Sequence, residues 1–171
     1  MLGNWLDEFR YLHERGRQGT LGGWERERYH ALRDECARLI CKLQQISVPP
    51  DWPARRSLRV ARALQVDIAF TNHAEHTVTA DVSAGGFGAF LSRAPAIGAQ
   101  ADVELRLTGS ERVACKARVV SVRTQGVTTR GSFEFVGLDD AQAERLQTLV
   151  FDVVLEVLGR QGPPRKRAGT A

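Results

Sequence analysis

Two short stretches carry the side chains best able to do chemistry: ARRSLRVAR at 54–62 and DVSAGG at 81–86. An arginine guanidinium is a planar fork of donors. It matches phosphate oxygens or the O6/N7 edge of guanine, and it stacks on a base. Arg55 and Arg59 stand four apart, with Arg56 beside the first. The register is fixed, because an arginine pair starting at Arg56 would need its partner at 60, where Val60 stands. In the second stretch Asp81 and Ser83 are two apart, which places them on one face of a strand. A carboxylate can accept from the N1 and N2 donors of guanine, and a hydroxyl can serve phosphate or base. Gly85 and Gly86 leave the turn bare, and Gly86 is expected to adopt dihedral angles that other residues rarely take.

Neither stretch is decisive alone. Arginine supplies 21 of the 24 basic residues, so a pair four apart arises easily by chance. A D-x-S-x-x-G run is most often a turn that ends a strand. Their positions relative to the elements around them carry the argument.

From about residue 4 to 45 the pattern is helical. Asn4 is expected to cap a first helix whose Trp5, Phe9 and Leu12 share one face. Gly16, Gly19, Gly22 and Gly23 interrupt it. A second helix resumes near Trp24, with Tyr29, Leu32, Cys36, Leu39, Ile40 and Leu43 as its apolar stripe. Three prolines in 49–53 then end the helix and imply an extended connector. On such a connector Arg55 and Arg59 would reach points roughly 13 Å apart, given ~3.3 Å per residue. Six runs rich in β-branched and aromatic residues follow, at 63–70, 77–83, 86–92, 100–107, 112–123 and 127–137. Short turns separate them and no helix intervenes, which favours a closed antiparallel barrel without free edges. Asp139 and Gln142 form a capping box for a last helix, with Leu146, Leu149, Val150, Val153, Val154, Val157 and Leu158 as its stripe and Gly159 as its stop. The expected divisions are a helical hairpin at 1–46, an arginine-bearing linker at 47–59, barrel plus helix at 60–159, and a disordered basic tail at 160–171.

Composition narrows the function classes. With 43% hydrophobic and 26% charged residues the chain is an ordinary globular mixture. No run of eighteen apolar residues is present, and the acid-bearing start MLGNWLDEFRYLHER lacks a signal-peptide layout. A cytoplasmic protein without membrane insertion is expected. Three cysteines without a CxxC pair give neither a disulfide framework nor a zinc site. His73 and His76 are spaced HxxH in an expected hairpin loop, with no cysteine to complete a metal site. His76, Asp81 and Ser83 do not form a triad, and no P-loop or nucleophile elbow is present, so no catalytic residue, metal or cofactor is expected.

Arg55-x-x-x-Arg59 just before the first strand, then Asp81-x-Ser83-x-x-Gly86 at the end of the second, resembles the PilZ domain, the bacterial receptor module for cyclic di-GMP. The resemblance spans about 54–158 and extends to GFGAFLS and GSFEFVGLDD; the helical hairpin is an N-terminal extension to it. It implies a six-stranded antiparallel β-barrel with a C-terminal helix, binding cyclic di-GMP on its outer surface. It also implies ligand contacts from Arg55, Arg56, Arg59, Asp81, Ser83, Gly85 and Gly86. Because the linker at 47–59 joins the hairpin to the barrel and carries the arginines, signal output is expected through the N-terminal helices, a homodimer or a partner protein. Two other readings stay open: an adaptor that binds no nucleotide, and a nucleic-acid binder using the basic segments.

Overall fold

The computed structural model describes residues 2–48 and 50–160. Beyond Arg160, the expected basic tail lies outside the described residues. Four helices and six strands follow in the order α1 (Leu2–Arg17), α2 (Gly23–Leu43), α3 (Ala54–Ser57), β1 (Gln65–Ala69), β2 (Ala74–Val82), β3 (Gly86–Leu91), β4 (Gln100–Arg106), β5 (Arg112–Gln125), β6 (Thr128–Val136) and α4 (Asp140–Arg160).

The strands close into an antiparallel barrel in the order β1-β2-β3-β6-β5-β4. Alternation drives this. On β4, Ala101, Val103 and Leu105 point inward between exposed or half-buried polar residues, and on β5 Val113, Ala117 and Val119 point inward between exposed neighbours. Phe87 and Phe133 are register partners, stacked with centroids 4.7 Å apart, and form the aromatic centre of the barrel. His76 lies within β2, not in a loop, and its ring bonds Asp67 on β1 at 2.7 Å. No group of acids, histidines and cysteines able to hold a metal occurs among the described residues.

The wide stripe of α4 serves two cores. Its N-terminus is capped as the sequence indicates, with Gln142 N donating to Asp139 Oδ1 at 2.7 Å and Asp139 N donating to Gln142 Oε1 at 3.1 Å. Leu146 and Leu149 close the barrel. Val150, Phe151 and Val154 turn the other way, into a second core built with Phe9, Leu12, Tyr29, Leu32 and Cys36 of the hairpin. The hairpin is thus packed on the barrel's own helix through Phe9, Leu12, Tyr29, Leu32 and Cys36, while Leu39 and Leu43 of the expected stripe stay exposed. Burial pushes the Cys36 thiol up to about 11, leaving little thiolate at neutral pH.

Polar groups lock this junction. Arg33, with no solvent exposure, donates through Nη1 to Glu144 Oε1 at 2.7 Å and through Nη2 to Thr148 Oγ1 at 3.0 Å. Its guanidinium lies 4.1 Å from the centre of the Tyr29 ring. Buried His13 bridges Tyr29 Oη at 2.6 Å and Asp152 Oδ1 at 2.8 Å.

Several sequence expectations shift for identifiable reasons. α1 begins at Leu2, so Asn4 is inside the helix and not its cap. On α2 the buried face turns toward α3 and α4: Ala37 and Cys41 are enclosed, whereas Leu39 and Leu43 are 56% and 83% exposed. Cys36 and Cys41 are both buried although five apart, because α2 is covered on more than one side. α4 runs through Gly159 instead of stopping there; the helix's Phe151 is buried and Val157 half-exposed.

Phe151 sits edge-on to Phe9, with centroids 5.6 Å apart and no exposure. Phe151→Ala should therefore cost about 3–5 kcal/mol in denaturant unfolding. A loss below about 1 kcal/mol would contradict the packing of the hairpin on α4.

Candidate functional site

The connector before β1 is not extended throughout: it winds one turn of helix, α3. Pro53 occupies the N-cap position with extended geometry, and Leu58 N donates to Ala54 O at 3.1 Å. The physical reason lies in Ala54 and Leu58, both fully buried in the hairpin core. A helical turn brings residues four apart onto one face, and extended chain would not. The same turn, ending at an extended Leu58, sends the arginines in different directions. Arg55 points to α2, where its Nη1 lies 3.1 Å from Asp34 Oδ2. Arg56 is exposed and lies over the Trp52 ring at 5.6 Å. Beyond the turn, Val60 pairs with Val82 through two backbone hydrogen bonds of 2.9 Å. That bridge lays Arg59 against the end of β2, and its Nε donates to Asp81 Oδ1 at 2.8 Å.

An irregularity in the pairing of β2 with β3, between Thr79 and Asp81, sets the direction of Asp81. The residue opposes Gly88, its side chain on the outer face while Val82 fills the core. Its second oxygen, Oδ2, accepts from Arg130 of β6. To reach it, Arg130 crosses over Gly88: a Cβ there would lie 2.9 Å from Asp81 Oδ2 and 3.3 Å from the Arg130 guanidinium. Asp81 meets Arg59 at Nε, so that carboxylate leaves the terminal Nη fork of Arg59 available.

The turn after β2 is held by Ser83. Its hydroxyl donates to Gly86 O at 3.1 Å and accepts from Gly85 N at 3.2 Å and Gly86 N at 3.1 Å, which fills its bonding capacity. Ser83 is buried and lies past the strand end, so it does not share an outer face with Asp81. Gly85 O accepts from Phe135 N at 3.0 Å, tying the turn to β6. Gly86 is required for a reason other than its dihedral angles, since its φ is not positive. A Cβ there would lie 2.0 Å from the Phe133 carbonyl oxygen, so β3 and β6 could not pair at this spacing.

The chain thus gathers Arg59, Asp81 and the 83–86 turn on one patch of outer barrel, with Arg55 and Arg56 on the adjoining helical turn. A hollow of about 210 Å³ adjoins it, lined by Trp52, Arg56, Gly85 and Glu134 among others. A larger hollow of about 520 Å³ opens over β1, β2, β4 and β5 and contains no motif residue. Its Asp67 and Asp102 are already paired with His76 and Lys116. His76, bonded to Asp67, does not meet the buried Ser83 hydroxyl. Three members of the patch escape sequence reasoning: Arg130, Gly88 and Asp34. A glycine inside the apolar run GFGAFL was the one available sign of a close approach there.

Comparison with known proteins decides the family. The family model described as PilZ domain matches residues 53–152. The chain belongs to the PilZ domain family. No curated protein sequence matches it. Among solved structures, Escherichia coli YcgR in complex with c-di-GMP superposes with TM-score 0.54 at 20% identity, over 60% of this chain and 47% of that one. The K. pneumonia MrkH–c-di-GMP complex gives TM-score 0.55 at 16% identity, over 63% and 55%. Bacillus subtilis inhibitor of motility, MotI/DgrA, gives 0.53 at 17%, over 61% and 51%. The chain spans about half the length of these neighbours, and the likeness is one of fold. In this PilZ domain, as in the superposed structures, the closed six-stranded barrel is the shared part.

The two glycines of the turn make separable predictions. At Gly85 a Cβ would meet only ordinary contact, 3.5 Å from Arg56 O. Gly86→Ala should cost about 1–3 kcal/mol as overpacking, and Gly85→Ala markedly less. Equal thermal stability of the two variants would show that the β3–β6 approach does not require a bare Cα.

Proposed function

We propose that this protein is a cyclic di-GMP receptor, with the ligand lying on the outer barrel against Arg55, Arg56, Arg59 and the 81–86 turn. The observation that carries the reading is the Arg59–Asp81–Arg130 group: two guanidiniums share one carboxylate and leave an excess positive charge. Arg56 adds a cation stacked on Trp52. A ligand with two phosphates and two guanines offers acceptors on both kinds of edge to such forks. In this reading Asp81 first positions Arg59 and Arg130 and can accept from guanine. Ser83 and Gly86 shape the turn, and Gly85 lets the ligand approach. Residues 47–59 act as the linker between a helical unit at 1–46 and a barrel unit at 60–159. Binding is transmitted through α3 to the N-terminal helices, which rearrange or change how they meet a partner.

The charge layout favours this reading over a nucleic-acid binder. Elsewhere on the barrel four cations face carboxylates across strands: Arg106 with Asp67, Arg112 with Glu104, Lys116 with Asp102 and Arg118 with Glu134. A strand of nucleic acid calls for a continuous basic stripe. An anion the size of a dinucleotide needs only the local excess at the motif.

Isothermal titration tests the reading directly, with GTP and cyclic di-AMP as controls. Cyclic di-GMP should bind and the controls should not. Arg59→Ala should weaken binding about ten- to a hundredfold, or about 1.5–3 kcal/mol. An unchanged affinity for Arg59→Ala would remove Arg59 from the site; no heat from the parent protein would favour the adaptor.

A further inference from the structure

Asp34 of α2 makes two contacts with the first arginine of the motif. Its Oδ2 lies 3.1 Å from Arg55 Nη1 and its Oδ1 accepts from Arg55 N at 3.3 Å. The second contact has a local cause. The α3 turn starts at Pro53, which offers no side-chain cap, so the orphan N–H at its second position needs an acceptor from elsewhere. Asp34 supplies it across 21 residues of sequence. Both side chains are largely enclosed, at 22% and 26% exposure, so solvent screens the pair only in part. The pairing is nevertheless incomplete: Arg55 Nε is enclosed and has no partner. Asp34 thus engages one end of a fork that a planar, two-pronged acceptor would fill on two atoms.

Resting on the receptor reading, we infer that Asp34 is an internal competitor for Arg55: its carboxylate occupies the guanidinium where a phosphate or guanine edge of the ligand would bind, and so sets the affinity of the site. Binding exchanges one acceptor for another. The ligand's gain at Arg55 is reduced by the contact it displaces, and the displaced carboxylate belongs to α2. The N-terminal hairpin therefore reports occupancy through a single side chain. Its buried anchors on α4, Arg33–Glu144 and His13–Asp152, lie outside this exchange. The expected movement starts in α3 and the linker and passes to α2 through Asp34.

Asp34→Asn separates the two duties of the residue. Asparagine has the same shape and still accepts from Arg55 N, so the α3 cap and the fold persist, but the competing charge is gone. Glu35→Gln removes a carboxylate one residue along, from a side chain that accepts from Trp5 Nε1 and does not touch Arg55. In titrations with cyclic di-GMP, Asp34→Asn should bind roughly five- to a hundredfold more tightly than the parent, and Glu35→Gln should match the parent. Equal or weaker binding by Asp34→Asn, with the parent binding normally, would overturn the competitor and leave the receptor reading intact. Equal tightening in both variants would also overturn it, as a general effect of charge. Binding by Asp34→Asn alone, with the parent silent, supports the competitor in its strongest form. If no variant binds, the receptor reading falls and this inference falls with it.

Discussion

One carboxylate shared by two guanidiniums organises the outer face of this PilZ domain. Asp81 holds Arg59 from the segment before β1 and Arg130 from β6, tying three separate stretches of chain onto one patch. Several backbone features exist so that this can happen. The irregularity in β2 turns Asp81 outward, and the Val60–Val82 bridge lays Arg59 beside it. Gly88 clears the path for Arg130, and Gly86 lets β3 lie close against β6. A carboxylate between two cations stabilises both, but it cannot neutralise both. The group keeps a residual positive charge, the feature on which the proposed anion binding rests, although the chain as a whole carries only +4.

The second constraint is the double duty of α4. Its first face closes the barrel and its second receives the hairpin, so the two cores share one rigid element. The α3 turn rests on the second core through Ala54 and Leu58, and its arginines project from there. The position of Arg55 is thus set by the helical extension, and that of Arg59 by the barrel. Two arginines four residues apart answer to two different parts of the molecule.

What was legible in the sequence follows from the range of the forces involved. The six strands show as alternation and turn residues, which are local, and their bounds differ from the structure by only a few residues. The Asp139–Gln142 cap is equally local. The α3 turn was not legible, because proline-rich context argues for extended chain and only the buried Ala54 and Leu58 overrule it. Arg130 and Asp34 were not legible either. Arg130 meets its motif partner across 49 residues of sequence, and Asp34 meets its own across 21. Nothing local in the sequence marks Arg33 for burial, yet it is fully buried because Glu144 and Thr148 come from another helix to satisfy it. Ser83 shows the opposite case: its type was noticed for ligand chemistry, whereas its hydroxyl is spent within its own turn.

In the proposed receptor, ligand chemistry on the barrel and the position of the N-terminal helices meet in the α3 segment. Hydrogen exchange with and without cyclic di-GMP tests this most directly. Ligand should change exchange at 81–86, through 50–59, and in α2 around Asp34, and leave the buried face of α4 unchanged. Protection confined to 81–86, with the linker and α2 exchanging as before, would contradict it.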